Sequence, residues 1–376
     1  MTDNQDREDV LASKEEQVAG ISLGRRFLNF RTLLSFVLAI GLIVFVFERL
    51  DIDFGSILSE VWRSNHVYYA LAFIAYYLTF PLRAWRWRVL LNNAAINEKH
   101  GVSLPSLWGL TQMIIINWFA NSVLYARLGD AYRSYLLKQQ SGASFSKTIG
   151  TVVAERVIDI IVVFLLLWGT IFGFLGSEGT VVAAAVAGAG TAMLALIAIL
   201  ILAFGRYGKS IERRLPAKIR SVFEPFRQGT IGSLNRLPTL ITLSAAIWLL
   251  EATRLLLVSH ALGIPIGFSL VLFAALANAL LTTIPFTPGG LGLVEAGLTG
   301  LLTISLTRQE AMSIVLVDRS VSFLSVIVVG AAVFIWWHAK QSQRARQKGA
   351  APAYRLEAVK EKKRKLLKAS LDNEKS

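Results

Sequence analysis

Two acid–arginine pairs stand inside long apolar runs. Glu155-Arg156 lies in "TVVAERVIDIIVV" and Asp318-Arg319 lies in "SIVLVDRSVSF". An ionised side chain is costly in lipid, so each group must meet a partner or a ligand. Residues adjacent in sequence do not face each other on a helix. Each arginine and each acid therefore needs a partner on another element. A guanidinium offers a planar fork of donors that suits a lipid phosphate. The plainer reading is a structural tie between helices. Asp159 lies one helical turn beyond Glu155, on the same face. Two carboxylates that close repel one another, so a proton-coupled step and a paired structural site both fit.

A second constellation is "IPFTPGGLGLVEAGL", Ile284 to Leu298. Pro285 and Pro288 are expected to end one half-helix. Gly289, Gly290 and Gly292 allow a tight turn and close backbone approach. A second half-helix should start near Leu293, its N-terminus carrying partial positive charge. Glu295, in the first turn, would cap it or titrate in a cavity. A packing kink between helices is the bland alternative. Arg127 and Asp130 sit beside a similar Leu-Gly break in "ARLGDAYRS". Arg127 suits a head-group phosphate or a cytoplasmic anchor, and Asp130 a helix cap. Glu251 and Arg254, three apart, should pair with each other. Arg83, Arg86 and Arg88 alternate with Trp85 and Trp87, which reads as a snorkelling and aromatic belt.

These residues need a membrane scaffold to position them. The chain has 376 residues, 54% hydrophobic, with nine Trp, and a mean hydropathy of +0.53. Its apolar runs are roughly 16 to 27 residues, enough to cross a hydrocarbon core of about 30 Å. There is no cysteine, and the four His are scattered. That argues against disulfides, thiolate chemistry, a His-based metal site and a Ser-His triad. No phosphate loop or dinucleotide fingerprint is present, so no cofactor is expected. The net charge of +14 sits in loops and tail, where it orients the chain rather than binding nucleic acid.

Residues 1–31 read as a cytoplasmic segment, 32–337 as the membrane domain and 338–376 as a basic cytoplasmic tail. Spans are expected at 32–47, 67–91, 148–175, 180–204, 239–262 and 310–337. The positive-inside rule puts both ends of 104–125 in the cytoplasm. That segment should be a re-entrant hairpin with its non-helical tip at Asn117 and Asn121-Ser122. The stretch 268–305 should be a second hairpin entering from outside, with "PFTPGG" at its tip. The basic stretch 205–237 should be a cytoplasmic loop lying on the membrane surface as an amphipathic helix. Both termini are then cytoplasmic.

Shifting the chain by 163 residues brings "RLGD" (127–130) onto "GLGL" (290–293) and "ERVID" (155–159) onto "DRSVS" (318–322). Upstream, "RAWRWRVLLNNAAI" (83–96) resembles "EATRLLLVSHALGI" (251–264). The two copies, about 32–175 and 180–337, should face opposite ways, as in many secondary transporters. The fold class expected is an all-α integral membrane protein. It has about six crossing helices plus two broken-helix hairpins in an inverted repeat.

"PGGLGLVEAGL" with the following "LVDR", and "RLGDAYRSYLL" with the following "ERVID", resemble the lysylphosphatidylglycerol synthase transmembrane family. "RAWRWRVLL" fits as well, and the resemblance covers roughly 30–337. It implies the flippase-like membrane part of the multiple peptide resistance factor, which moves a lipid head group between leaflets. About 39 residues follow Trp337, too few for an aminoacyl transferase, so synthase activity is not expected here. The reading is therefore a lipid transporter of a prokaryotic plasma membrane, without catalytic residues or metal. Its substrate-binding candidates are Arg127, Asp130, Glu155, Arg156, Asp159, Pro288, Gly289, Gly290, Gly292, Glu295, Asp318 and Arg319. Its partners would be anionic or phosphate-bearing lipids, a second copy in a homodimer and a separate lipid-modifying enzyme. A membrane-embedded lipid or glycosyl transferase, or a scaffold for an envelope lipid synthase, are the alternatives.

Overall fold

The computed structural model describes residues 54–124, 127–174, 180–283, 288–290 and 292–341. The expected first span at 32–47, the "GSEG" turn, Pro285 and the basic tail lie outside them. Among the described residues every regular element is helical. In chain order these are α1 (Phe54–Arg63), α2 (His66–Asn93), α3 (Leu107–Val123), α4 (Leu128–Ser141), α5 (Phe145–Phe174) and α6 (Thr180–Arg214). They continue as α7 (Ala217–Ser233), α8 (Leu237–Ala261), α9 (Phe268–Thr283), α10 (Leu293–Leu302) and α11 (Arg308–Arg319). A π turn at Ser320–Leu324 carries α11 on, helically, to Gln341.

Three described helices are long and apolar enough to cross a membrane: 194–214 of α6, α8, and α11 with its continuation. At 28 and 30 residues, α2 and α5 are also long enough, about 42 to 45 Å. Both carry several charged side chains. This is a helical membrane protein.

At its centre α2 and α8 run antiparallel over their whole length. The Asn65 N–H donates to the Ala261 carbonyl at 2.7 Å at one end. At the other end the Asn93 amide donates to the Ser233 and Asn235 carbonyls at 3.1 and 2.5 Å. Ala72 and Ala84 of α2 and Ala252 of α8 are fully buried, and small residues let membrane helices approach closely. Both helices stop in the same way. Ala95 and Gly263 adopt the left-handed conformation, with φ of 55° and 69°. The N–H of Ile96 reaches Leu91 O at 2.9 Å, and that of Ile264 reaches Ser259 O at 3.0 Å. This is the six-to-one bond that closes a helix behind a left-handed residue.

One expectation is corrected. The first hairpin does not break at Asn117 or Asn121-Ser122, because α3 is continuous through Val123. The helix ends at Leu124, and α4, starting at Leu128, packs back against α3 as the second arm. Asn117 and Asn121 instead use their side chains at the break, as shown below. The stretch 205–237 is helical, as its amphipathic-helix reading allowed: α6 runs on to Arg214, past the expected end of the span at 204, and after Leu215 and Pro216 the chain forms α7. Lys, Arg and Glu are good helix formers, so charge there does not interrupt the helix. In the second stretch α9 packs on α10, and α10 starts at Leu293, where the sequence placed the second half-helix.

α7 is held against α5 by a glycine crossing. A Cβ on Gly229 would lie 2.0 Å from the Lys147 carbonyl oxygen, and one on Gly150 would lie 2.3 Å from Phe226 O. Both obstacles are backbone, which cannot swing aside. Gly229→Ala should cost about 2 to 3 kcal/mol, as overpacking does, read as a lower thermal midpoint in detergent. Gly188→Ala, where a Cβ meets nothing within 4 Å, should leave the midpoint unchanged or raise it.

Candidate functional site

α2 presents Arg83 and Arg86 one turn apart on one face, and both are buried. α5 presents Glu155 and Asp159 to the same point. The Arg86 guanidinium donates to Glu155 at 2.7 Å, to both Asp159 oxygens at 2.5 and 3.1 Å, and to the Ser244 hydroxyl at 2.6 Å. Arg133, on α4, donates to the other Glu155 oxygen at 2.6 Å. Its guanidinium rests on the Trp87 ring, and the Trp248 indole N–H reaches Asp159 at 3.3 Å. The repulsion expected between Glu155 and Asp159 is thus neutralised by an arginine set between them.

The second group is built alike. Arg254, on α8, pairs with Asp318 and, at 3.3 Å, with Glu251. Glu251 also accepts from Arg83 at 2.9 Å, which ties α2 to α8. The expected Glu251–Arg254 pair is present. Arg86 and Arg254, matched in the upstream alignment, hold Glu155 and Asp318, matched in the other.

Arg156 and Arg319 differ from these arginines. Their side chains are 22% and 11% exposed, whereas Arg83, Arg86, Arg133 and Arg254 stay at 3% or below. Arg156 meets Asp130, Glu155 and Asp159 only at 3.6 to 3.9 Å. Arg319 reaches Glu295 at 2.6 Å and donates to the Gly289 carbonyl at 3.1 Å. Each therefore points to the first turn after a helix break, Arg156 to Asp130 in α4 and Arg319 to Glu295 in α10. Arg127 pairs with Asp130 at 3.4 Å.

The breaks are shaped by close approach. A Cβ on Gly129 would lie 2.2 Å from Asn117 O and 2.6 Å from Asn121 Oδ1. The Gly129 N–H donates to that Asn121 oxygen at 2.9 Å. Asn121, not Asp130, supplies a side-chain acceptor at this helix start. Pro288, Gly289 and Gly290 form a single tight turn, with Gly289, Gly290 and Gly292 at positive φ. Glu295 caps α10 as expected, accepting from the Gly292 N–H at 2.6 Å. A Cβ on Gly289 would touch Ser122 Cα at 3.4 Å and the Phe323 ring at 2.4 Å. The end of α3 is therefore packed against both breaks.

The π turn after Arg319 is held by tyrosines of α2. Tyr69 shares a hydrogen bond with Ser320 at 2.8 Å, Tyr76 donates to Ser322 O at 3.0 Å, and Tyr77 bonds Ser325 at 2.9 Å. Such turns often mark functional sites, because the extra residue re-aims what precedes it.

All twelve candidate residues lie in this region, with the Pro288 turn and Gly292 forming its second break. Arg83, Arg86 and Arg133 were missed. Trp85 and Arg88 are exposed, whereas Arg83, Arg86 and Trp87 are buried, and for these three the belt reading fails. A spacing of three, with Trp87 beside Arg86, puts these on one face and was the available signal.

The family model of the lysylphosphatidylglycerol synthase TM region matches residues 32–330. The chain belongs to this family. A membrane protein of the UPF0104 family from Methanocaldococcus jannaschii is 32% identical over 219 residues, covering 57% of this chain and 93% of its own. One from Methanothermobacter thermautotrophicus is 23% identical over 343 residues, covering 84% and 98%. A relative from Haloferax volcanii named glycosyltransferase AglD is 25% identical over 339 residues, covering 79% of this chain but 52% of that protein. The chain thus spans about half the length of that relative.

Stripping Arg86 would leave Glu155 and Asp159 buried face to face. Arg86→Met should cost about 3 to 5 kcal/mol, as a broken buried ion pair does. Arg319→Ala, at a more open pair, should cost about 1 kcal/mol or less. Thermal midpoints of the purified variants check this. Equal losses would contradict the division between anchoring and open arginines.

Proposed function

We propose that this protein carries a phosphate-bearing lipid head group from one leaflet to the other. The charge balance at the two breaks is the observation that carries this reading. Among the described residues the region gathers seven guanidinium groups: Arg83, Arg86, Arg127, Arg133, Arg156, Arg254 and Arg319. Against them stand six carboxylates: Asp130, Glu155, Asp159, Glu251, Glu295 and Asp318. One positive charge is in surplus, and Arg156 and Arg319, more open than Arg83, Arg86, Arg133 and Arg254, face the breaks. A phosphate supplies the missing negative charge and enough acceptors for both forks. Asp130 and Glu295 are the resident counter-ions it would displace.

In this reading the chain is an inverted repeat. The antiparallel packing of the related helices α2 and α8 supports it, as do their matching ends and the matching arginine–acid pairs. The α3–α4 hairpin then enters from the cytoplasm and the α9–α10 hairpin from outside, within six crossings and with both termini cytoplasmic. Arg127, beside the inner break, would meet the head group first and Arg319 would receive it at the other. Acyl chains remain in lipid throughout. Transport is passive, or coupled to an ion gradient through the carboxylates.

The relative named glycosyltransferase favours a second reading, in which this membrane part serves a lipid-linked sugar made or used by a separate enzyme. The lipid phosphate would then bear a sugar, and Arg156 and Arg319 would hold the same group.

In liposomes, the purified protein should speed transbilayer movement of fluorescent phospholipids at least tenfold, read with an impermeant quencher. Arg319→Ala and Arg156→Ala should each remove most of that gain while the protein stays folded. No acceleration for any phosphate-bearing head group would contradict transport. Appearance of a glycosylated product with a nucleotide sugar and a lipid phosphate would move the assignment to an enzyme.

A further inference from the structure

A cleft of about 110 Å³ lies between the start of α3, the end of α4 and the last turns of the α11 continuation. Gln140 in its wall is about 17 Å along α4 from Gly129 at the first break. The cleft also differs in chemistry. The breaks are lined by guanidinium and carboxylate groups, whereas this cleft has three amides, Gln112, Gln140 and Gln341, with three indoles and one ammonium.

One buried donor in its wall is unpaired. Trp337 is 6% exposed, and its indole N–H lacks a partner among the described residues. A buried polar group left in this state costs about 1 to 3 kcal/mol, so a ligand that bonds it is favoured. Gln112, 5% exposed, lines the same cleft. Trp108 and Trp336, 66% and 47% exposed, offer broad indole faces, the side chains enriched where a membrane meets water.

The charge pattern speaks against a phosphate. The one ammonium, on Lys340, already sits over the Trp336 ring at 4.6 Å. The first turn of α3 is capped by its own serine, Ser106 accepting from the Gly109 N–H at 3.2 Å. Among the described residues no guanidinium lines the cleft. Amides both donate and accept, as hydroxyls do, and an indole face suits the apolar side of a hydroxyl-rich ring.

We propose that this cleft receives the sugar or polyol ring of a lipid head group, whose acyl chains lie in the bilayer beside Trp108 and Trp336. The site is independent of transport through the breaks. Its failure would leave the central reading untouched, and Arg319→Ala should not alter it.

The test is native mass spectrometry of the full-length protein with monoglucosyl diacylglycerol, phosphatidylserine and phosphatidylcholine offered in equal amounts. Methyl glucoside is added as a free-sugar competitor. The glucosyl lipid should be retained at least fivefold over both others. Gln140→Ala and Trp336→Ala, both at exposed positions, should each cut that retention at least fivefold with an unchanged thermal midpoint. Gln112→Leu should do the same. Equal retention of phosphatidylserine, or retention indifferent to these variants, would overturn the proposal. Competition by methyl glucoside at the concentration of the lipid itself would also overturn it, assigning the cleft to a soluble sugar.

Discussion

A guanidinium sealed inside an apolar protein must be answered by carboxylates, because leaving it unpaired costs several kcal/mol, roughly 3 to 5. Arg86 and Arg254 set that condition here. Arg86 can be satisfied only if α5 brings Glu155 and Asp159 together and α8 brings Ser244. Arg254 requires Asp318 from α11. Arg83 closes the ring by joining α2 to Glu251 of α8. Apolar packing alone would tolerate sliding of one helix past another, since lipid tails are as apolar as leucine. These pairs do not tolerate it, and they fix the register of four helices.

With the register fixed, the next residue along each helix is placed as well. Arg156 follows Glu155 and Arg319 follows Asp318, so anchoring the acid turns the arginine toward a break. Glycine makes that approach short. Gly129 lies against the α3 backbone and Gly289 against Ser122 and Phe323, positions where a Cβ has no room. The π turn after Arg319, secured by three tyrosine hydroxyls of α2, adds the extra residue that lets the last helix serve both Asp318 and Arg319.

Much of this architecture was legible in the sequence, for identifiable reasons. Apolar run length located α2, α5 and α8, and proline with glycine located the start of α10. Sliding the chain on itself matched Glu155 with Asp318, and the structure gives both the same kind of partner. The family resemblance rested on those same blocks, and the family model extends over them. What was not legible came from reading polarity as backbone geometry. Asn117 and Asn121 interrupt an apolar run, yet their helix is whole and their side chains serve the break. Arg83 and Arg86 lie among tryptophans near a helix end, as interfacial arginines do. Their burial depends on Glu155, Asp159 and Glu251, which are 69 to 168 residues away and which no local pattern could bring to them.

The central claim is that two broken hairpins enter from opposite sides and meet at the arginines. The chain has no cysteine, so single cysteines can be placed without background. We would substitute Ser103 and Ser144 at the ends of the first hairpin, and Gly267 and Ser305 at the ends of the second, all exposed positions. Each variant would be labelled in intact cells with an impermeant maleimide. The account predicts labelling from outside at 267 and 305, and at 103 and 144 only after the cytoplasmic face is opened. Labelling of both pairs from the same side would contradict it.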